Sequence, residues 1–337
     1  MKGVIEMMRS HIVQLNGAGG ALLREMLLHH LGWDAVDRDA GEESAGSAAG
    51  KLVRPRLCVL SCLAVGGNAA AAIPAAAAIE LIHNFSLIHD DIEDRDDTRR
   101  GRPAVWKLWG EAQGINAGDC MYSLAYAVLT EPEEATADPG RRLRATAILS
   151  RACARLCEGQ AHDVALRNGR DVSEDEYLDM VGRKTGALLS AAAETGALLG
   201  GADDRALDGF RDFGFDLGVA FQIRDDVLGI WGDAQKTGKP VGGDLSRRRC
   251  SYPVVWALAR GRDKDRHALR DVGGASSPRA MADAVAVLDR VGAREHAEEL
   301  AAETHRRAWS ALEGLRLESA AKDDLRRLTE FLAVRQR

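Results

Sequence analysis

Aromatic residues are scarce in this chain: Phe, Trp and Tyr together make up 5% of its 337 residues. Pleated, half-buried sheet surfaces lean on aromatic and β-branched side chains, so this scarcity, beside abundant Ala and Leu, points to packed helices. The six cysteines, at 58, 62, 120, 153, 157 and 250, form no CxxC pair. The usual knuckle for a structural zinc is therefore missing, and the thiols read as small core residues. No apolar stretch reaches the ~20 uncharged residues that span a bilayer, and the opening Met1-Lys2-Gly3-Val4-Ile5-Glu6 lacks a secretory signal pattern. The expectation is a cytoplasmic protein with no membrane span. Positive charge is not in excess either: the formal net charge is −6, which gives no reason to expect nucleic acid. No internal repeat of roughly 20–50 residues is apparent. At 28% charged and 46% hydrophobic the composition is that of a globular chain.

What the chain does have is carboxylate on the ends of apolar helical runs. From Ala75 to Ile88 there is neither Gly nor Pro, and Pro74 is placed as the opening of a buried helix. The run ends in Asp90-Asp91-Ile92-Glu93-Asp94-Arg95-Asp96-Asp97. Asp90 and Asp94 are one helical turn apart, ~6 Å along the axis and on one face, with Asp91 beside that face. Carboxylates at that spacing repel, and they are disfavoured at a helix C-terminus. Something positive belongs among them, either hard divalent cations or the nearby Arg99 and Arg100. A second run, Phe213 to Ile223, closes in the same way on Asp225-Asp226. Two acidic pairs with basic segments nearby describe a place where Mg²⁺ bridges carboxylate and phosphate oxygens.

The basic segments follow the same logic. Gly50-Lys51-Leu52-Val53-Arg54-Pro55 ends a polar loop over residues 37–50, and Lys51 and Arg54, three apart, share a face if they begin a helix. A helix N-terminus carrying two cations suits a diphosphate. Thr98-Arg99-Arg100-Gly101-Arg102-Pro103 reads as a loop whose guanidinium forks suit phosphate oxygens. Residues 232–251 form a second long loop, rich in Gly, and a loop of that size in a compact protein is commonly functional.

These segments, in this order and at this spacing, resemble the trans-isoprenyl diphosphate synthases, the polyprenyl synthetase family, over about residues 50–253. Asp90-Asp91-Ile92-Glu93-Asp94 resembles that family's first aspartate-rich motif, and Phe221-Gln222-Ile223-Arg224-Asp225-Asp226 the lead-in to its second. The resemblance implies an all-α, single-domain isoprenoid-synthase bundle with a central cleft over residues 1–337, in which 232–251 is a lid and 254–337 completes the bundle. It implies Mg²⁺, three ions, on Asp90, Asp91, Asp94, Asp225 and Asp226. It also implies that Lys51, Arg54 and His83 hold isopentenyl diphosphate, with Arg99 facing the allylic diphosphate and Arg100 the isopentenyl one. Lys184 would contact the allylic diphosphate and Lys239 a phosphate when the lid closes, while Thr185 and Gln222 aim oxygen dipoles at developing positive charge. Gln160 and Asp163 are supporting residues.

The chain departs from the family pattern at Leu52, where a basic residue is usual, at Arg249, where Lys is usual, and at Gly229, which stands in place of a third Asp. The implied reaction is head-to-tail condensation of isopentenyl diphosphate with dimethylallyl, geranyl or farnesyl diphosphate, by a homodimer. A growing tail anchored at Asp90 runs back along its own helix past small Ser86, about 40° away around the axis, and Phe85, about 140° away. An aromatic five residues before the first Asp, with no insertion in the motif, resembles enzymes making the C20 product geranylgeranyl diphosphate. Farnesyl and longer products are the alternatives. Two rival readings are a terpene synthase of the same fold, which has no use for Lys51, Arg54, His83 and Arg100, and a non-catalytic partner subunit, against which the intact aspartates argue.

Overall fold

The computed structural model describes residues 1–34, 52–131, 138–166, 172–232, 245, 250–270, 272 and 277–333. Lys51, Lys239, Arg249, the 37–50 loop and most of the 232–251 segment lie outside the described residues. The fold is all-α, as expected, with one two-stranded ribbon among the described residues. By internal contacts the chain divides into two compact units. One comprises residues 1–150, 192–207 and 316–322, the other 151–191, 208–315 and 323–337.

The first unit begins with α1 (Lys2–Val13) and α2 (Gly17–Leu31), followed by α3 (Val53–Ala64) and the long α4 (Ala69–Glu93). α4 starts earlier than Pro74 suggested. Asn68 caps it, its side-chain oxygen accepting from the Ala70 N–H at 2.9 Å, and the alanines that follow are the strongest helix formers. Pro74 therefore lies inside the helix and is buried there, forgoing one backbone bond. α4 is apolar and long enough to cross a membrane by length and composition, but 78% of its apolar window is buried inside the protein. Glu80, a charged residue within α4, is itself buried.

After α4 come the strands β1 (Thr98–Arg99) and β2 (Arg102–Pro103), then α5 (Val105–Trp109) and α6 (Glu111–Thr130). Residues 116–119, Asn-Ala-Gly-Asp, lie within α6. α6 packs along α4, and α3 and α1 also pack against α4. This contact is close at one point: a Cβ on Gly118 would lie 2.2 Å from the His89 ring, so only glycine lets that imidazole seat on α6.

The second unit contains the later part of α7 (Pro139–Leu166), then α8 (Glu174–Val181) and a single π-turn at Gly182–Gly186, which leads into α9 (Ala187–Gly200). It also holds most of α10 (Asp204–Trp231), with α11 (Tyr252–Arg260), α12 (Asp263–Arg270), α13 (Pro278–Arg290) and α14 (Ala293–Ser310). α15 (Ser319–Ala333) ends the described chain. Tyr177, Met180, Val219, Ile223, Val227, Tyr252 and Val255 make one buried cluster here. It packs the π-turn's neighbourhood against the end of α10.

Candidate active site

At the C-terminal end of α4 the three aspartates part company. Asp90 and Asp94 are partly exposed, whereas Asp91 is buried, its side chain 1% exposed. Arg99 reaches back from β1 to pair with it, Nε donating to Oδ1 at 2.9 Å and an Nη donating to the same oxygen. Burial pushes the Asp91 carboxyl above the usual carboxylate range, and Arg99 opposes that shift. Asp91 Oδ2 has no hydrogen-bond partner among the described residues. The expected loop at 98–103 is a hairpin. Arg100 at φ +54° and Gly101 at φ +76° are its two central residues, the geometry of a type I′ turn. The left-handed conformation is easy for Gly101 and costly for Arg100.

The helix stop is equally specific. Arg95 takes φ +55°, the Asp96 N–H bonds the Asp91 carbonyl at 2.9 Å, and the Arg95 N–H bonds Ile92. This is a Schellman closure with Arg where Gly is usual. Leu52, directly before α3, is the third non-glycine at positive φ, 48°. All three such residues among those described flank the segments that the sequence marked for phosphate or metal.

A buried polar chain runs beneath the hairpin. Arg100 contacts Asn84 Oδ1 at 3.5 Å, His30 Nε2 lies 3.2 Å from the same oxygen, and Asn84 Nδ2 donates to the Glu80 carboxylate at 3.0 Å. Glu80 is pushed up by burial, and Arg54 and Arg100 pull it back. His83, on the same helix, is held well below its ordinary value by desolvation and then by Arg54, Arg100 and Arg99. The structure thus gathers Arg54, Arg99, Arg100 and His83 into one positive region, with α3 packed on α4 to bring Arg54 there. Asn84, Glu80 and His30 were missed from sequence. The signal was present: Glu80 and Asn84 are polar residues one turn apart on an otherwise apolar helix. Phe85 is 7% exposed, its ring set edge-on to Tyr122 at 5.1 Å and to His89 at 5.7 Å. Ser86 is buried and donates its hydroxyl to the His83 carbonyl at 2.8 Å.

In the second unit, Lys184 and Thr185 sit in the π-turn, a feature common at functional sites. Lys184 Nζ donates to Asp163 Oδ2 at 2.6 Å. Thr185 Oγ1 donates to Gln222 Oε1 at 3.0 Å, and Gln222 Nε2 donates to Asp226 Oδ1 at 3.1 Å. The other Asp226 oxygen accepts the Tyr177 hydroxyl and, at 2.8 Å, the Tyr252 N–H.

Asp225 and Asp226 therefore differ as Asp90 and Asp91 do. Neighbours on a helix point ~100° apart; Asp225 is partly exposed, while Asp226 is 6% exposed and occupied by three donors. Tyr177 had no sequence signal, since it meets Asp226 only through the fold.

Asp90, Asp94 and Asp225 offer hard carboxylate oxygens, ligands that suit Mg²⁺. Among the described residues no three His, Cys, Asp or Glu side chains form a cage by themselves, so a bound Mg²⁺ would complete its shell with phosphate and water. The chemistry on offer is that of anion and cation together: guanidinium and ammonium groups for phosphate, and carboxylates for its metal.

Comparison with known proteins bears on these features. The family model described as Polyprenyl synthetase matches residues 43–290. The chain is 41% identical over 290 residues to the short chain isoprenyl diphosphate synthase of Methanothermobacter thermautotrophicus, covering 86% of this chain and 88% of that protein. It is 44% identical over 239 residues to the (2E,6E)-farnesyl diphosphate synthase of Mycobacterium tuberculosis, 71% of this chain but 64% of that longer protein. Among solved structures, the geranylgeranyl pyrophosphate synthetase from Pyrococcus horikoshii superimposes with a TM-score of 0.86 at 34% identity, over 98% of this chain and 96% of that one. With its aspartate-ended helices, its arginine hairpin and a match over most of its length, the chain belongs to the polyprenyl synthetase family and is a prenyltransferase.

Proposed function

We propose that this short-chain prenyl diphosphate synthase condenses isopentenyl diphosphate with an allylic diphosphate and stops at C20, geranylgeranyl diphosphate. The observation that carries the reaction is the gathering of Arg54, Arg99 and Arg100 around His83. Two turns further along the same helix come the partly exposed Asp90 and Asp94. Guanidinium groups gathered in one place suit a diphosphate, and carboxylates one turn apart suit a metal; a metal-bound diphosphate engages both.

Arg54, Arg100 and neutral His83, with Lys51, hold isopentenyl diphosphate; Arg99, Lys184 and Lys239 hold the allylic one. Asp90, Asp94 and Asp225 would hold Mg²⁺, which when bound offsets the negative charge growing on the leaving diphosphate. The allylic C–O bond ionises, the double bond of isopentenyl diphosphate attacks the cation, and the departed diphosphate takes the proton. Thr185 and Gln222 present dipoles, not charges, to the cation. Replacing Arg54 with Ala raises the KM for isopentenyl diphosphate more than that for the allylic partner; the reverse would exchange the two sites.

Support for C20 comes from Phe85, an aromatic five residues before Asp90, buried edge-on against Tyr122 on α6. Chromatography of dephosphorylated products tests it. A wild-type C20 that lengthens in Phe85→Ala supports Phe85 as the floor, whereas a C15 product, or an unchanged distribution in the variant, places the stop elsewhere. The enzyme is read as a homodimer, and light scattering showing a stable monomer would refute that.

A further inference from the structure

Tyr177, Asp226, Gln222 and Thr185 form an unbroken line of hydrogen bonds from a buried phenol to the π-turn. Its direction is fixed at one end. Asp226 Oδ2 accepts two donors, the Tyr177 O–H and the Tyr252 N–H at 2.8 Å, and an ionised carboxylate only accepts. Gln222 must therefore turn its amide nitrogen to Asp226 Oδ1, 3.1 Å away, because its oxygen there would face another acceptor. That leaves the Gln222 oxygen toward Thr185, 3.0 Å away, and among the described residues the Thr185 hydroxyl is the donor that satisfies it. Tyr177 is fully buried, Asp226 and Thr185 are each 6% exposed and Gln222 is half-buried, so water has little access to the two ends of the line.

We propose that Tyr177 and Asp226 are positioning residues that commit the Thr185 proton to Gln222, so that Thr185 meets its substrate with lone pairs only. An oxygen so turned attracts an allylic cation. This rests on reading the π-turn helix as the one that faces the allylic substrate, and it gives Asp226 a role other than that of a metal ligand. Asp226 acts through Gln222 and Thr185 without touching the reacting carbons.

The variant Asp226→Asn tests the direction with almost no change in shape. The Tyr177 O–H and Tyr252 N–H still demand an acceptor, so the oxygen of the introduced amide takes the Oδ2 position and its NH₂ faces Gln222. Gln222 then flips, donates to Thr185 and occupies a lone pair. Two small ligands report the result. One is 2-(dimethylammonio)ethyl diphosphate, which carries positive charge near the reacting carbons; the other is 3-methylbutyl diphosphate, its uncharged isostere. Each is titrated in the presence of Mg²⁺ into wild type, Asp226→Asn, Thr185→Val and Thr185→Ser.

The expected result is that the preference for the cationic ligand drops by about tenfold in Asp226→Asn and in Thr185→Val, the scale of one hydrogen-bond dipole acting on a charge. Thr185→Ser keeps the wild-type preference. Because the readout is a ratio measured on one protein, a general loosening of the fold cancels. An unchanged ratio in Asp226→Asn, or equal weakening of both ligands, overturns the proposal. If wild type makes no product from isopentenyl and dimethylallyl diphosphates, the functional reading falls and takes this inference with it; turnover with an unchanged ratio sinks the inference alone.

Discussion

Arg99 and Asp91 are bound to each other across the turn that ends α4, the guanidinium donating twice to one carboxylate oxygen. Asp91 is buried and Arg99 is 28% exposed, so removing one partner strands a buried charge. Arg99→Ala is expected to cost about 3 kcal/mol of stability. The double variant Asp91→Asn, Arg99→Ala recovers part of that loss, because no unpaired carboxylate remains. Urea unfolding of wild type, Arg99→Ala, Asp91→Asn and the double variant measures the coupling, and strictly additive losses would mean that the pair contributes nothing jointly.

Adjacent aspartates at the end of α10 separate activity from stability. Asp225→Ala abolishes turnover with a stability change within about 1 kcal/mol. Asp226→Ala leaves the Tyr177 hydroxyl, the Tyr252 N–H and the Gln222 amide without their acceptor and lowers stability by about 3 kcal/mol. Denaturant melts beside turnover assays distinguish the two, and equal melts would contradict the buried network.

Arg100 sits at φ +54° in the hairpin, a conformation that costs a side chain roughly 1 kcal/mol and glycine almost nothing. Arg100→Gly is expected to keep or raise stability, by up to about 1 kcal/mol, while raising the KM for isopentenyl diphosphate. A variant that lost stability and kept its KM would reverse the assignment.

Gly118→Ala places a methyl 2.2 Å from the His89 ring, one residue before Asp90. The expected cost is about 2 kcal/mol together with reduced turnover. His89→Ala in the same protein restores most of the stability. Thermal unfolding of the single and double variants checks both.

His30 is pushed down to about 3, first by burial and then by Arg100 and Arg99, with Asn84 partly offsetting the shift. Unfolding returns it to its ordinary value near 6.5. A base depressed in the folded state stabilises fully above the unfolded value, and that contribution is lost as pH falls from about 6.5 toward 3. The wild-type unfolding free energy should therefore drop by about 1.4 kcal/mol per pH unit more steeply in this window than that of His30→Gln. Parallel curves would show that His30 is not held neutral.

Much of this was legible before the structure, and some of what was missed was legible too. The helical ends bearing Asp90, Asp94 and Asp225 follow from apolar runs that stop at carboxylates, and the fold class follows from the Ala-rich, aromatic-poor composition. The inward turn of Asp226 was readable in principle. Ile223, Val227 and Ile230 are buried at helical spacing, and position 226 falls inside their stripe while 225 falls outside it. Tyr177 was not readable, since it lies 49 residues from Asp226 and only packing joins them. The hairpin was hidden for another reason: Arg-Gly at its centre departs from the Asn-Gly or Asp-Gly that advertises such a turn. Pro74 misled because the start is set upstream by the Asn68 cap and the alanines after it, so that Pro74 forgoes one interior bond instead of opening the helix.

The π-turn at Gly182–Gly186 makes the helical register itself adjustable. Such a turn holds one residue more than the α-turn it replaces. Deleting a single residue there would let an ordinary helix run on without a break, yet it would swing everything on one side through ~100° relative to the other. Tyr177 and Lys184 would no longer be in phase with Gln222. One extra residue is thus a spacer that sets the rotational timing between Lys184, paired with Asp163, and the buried network that reaches Thr185.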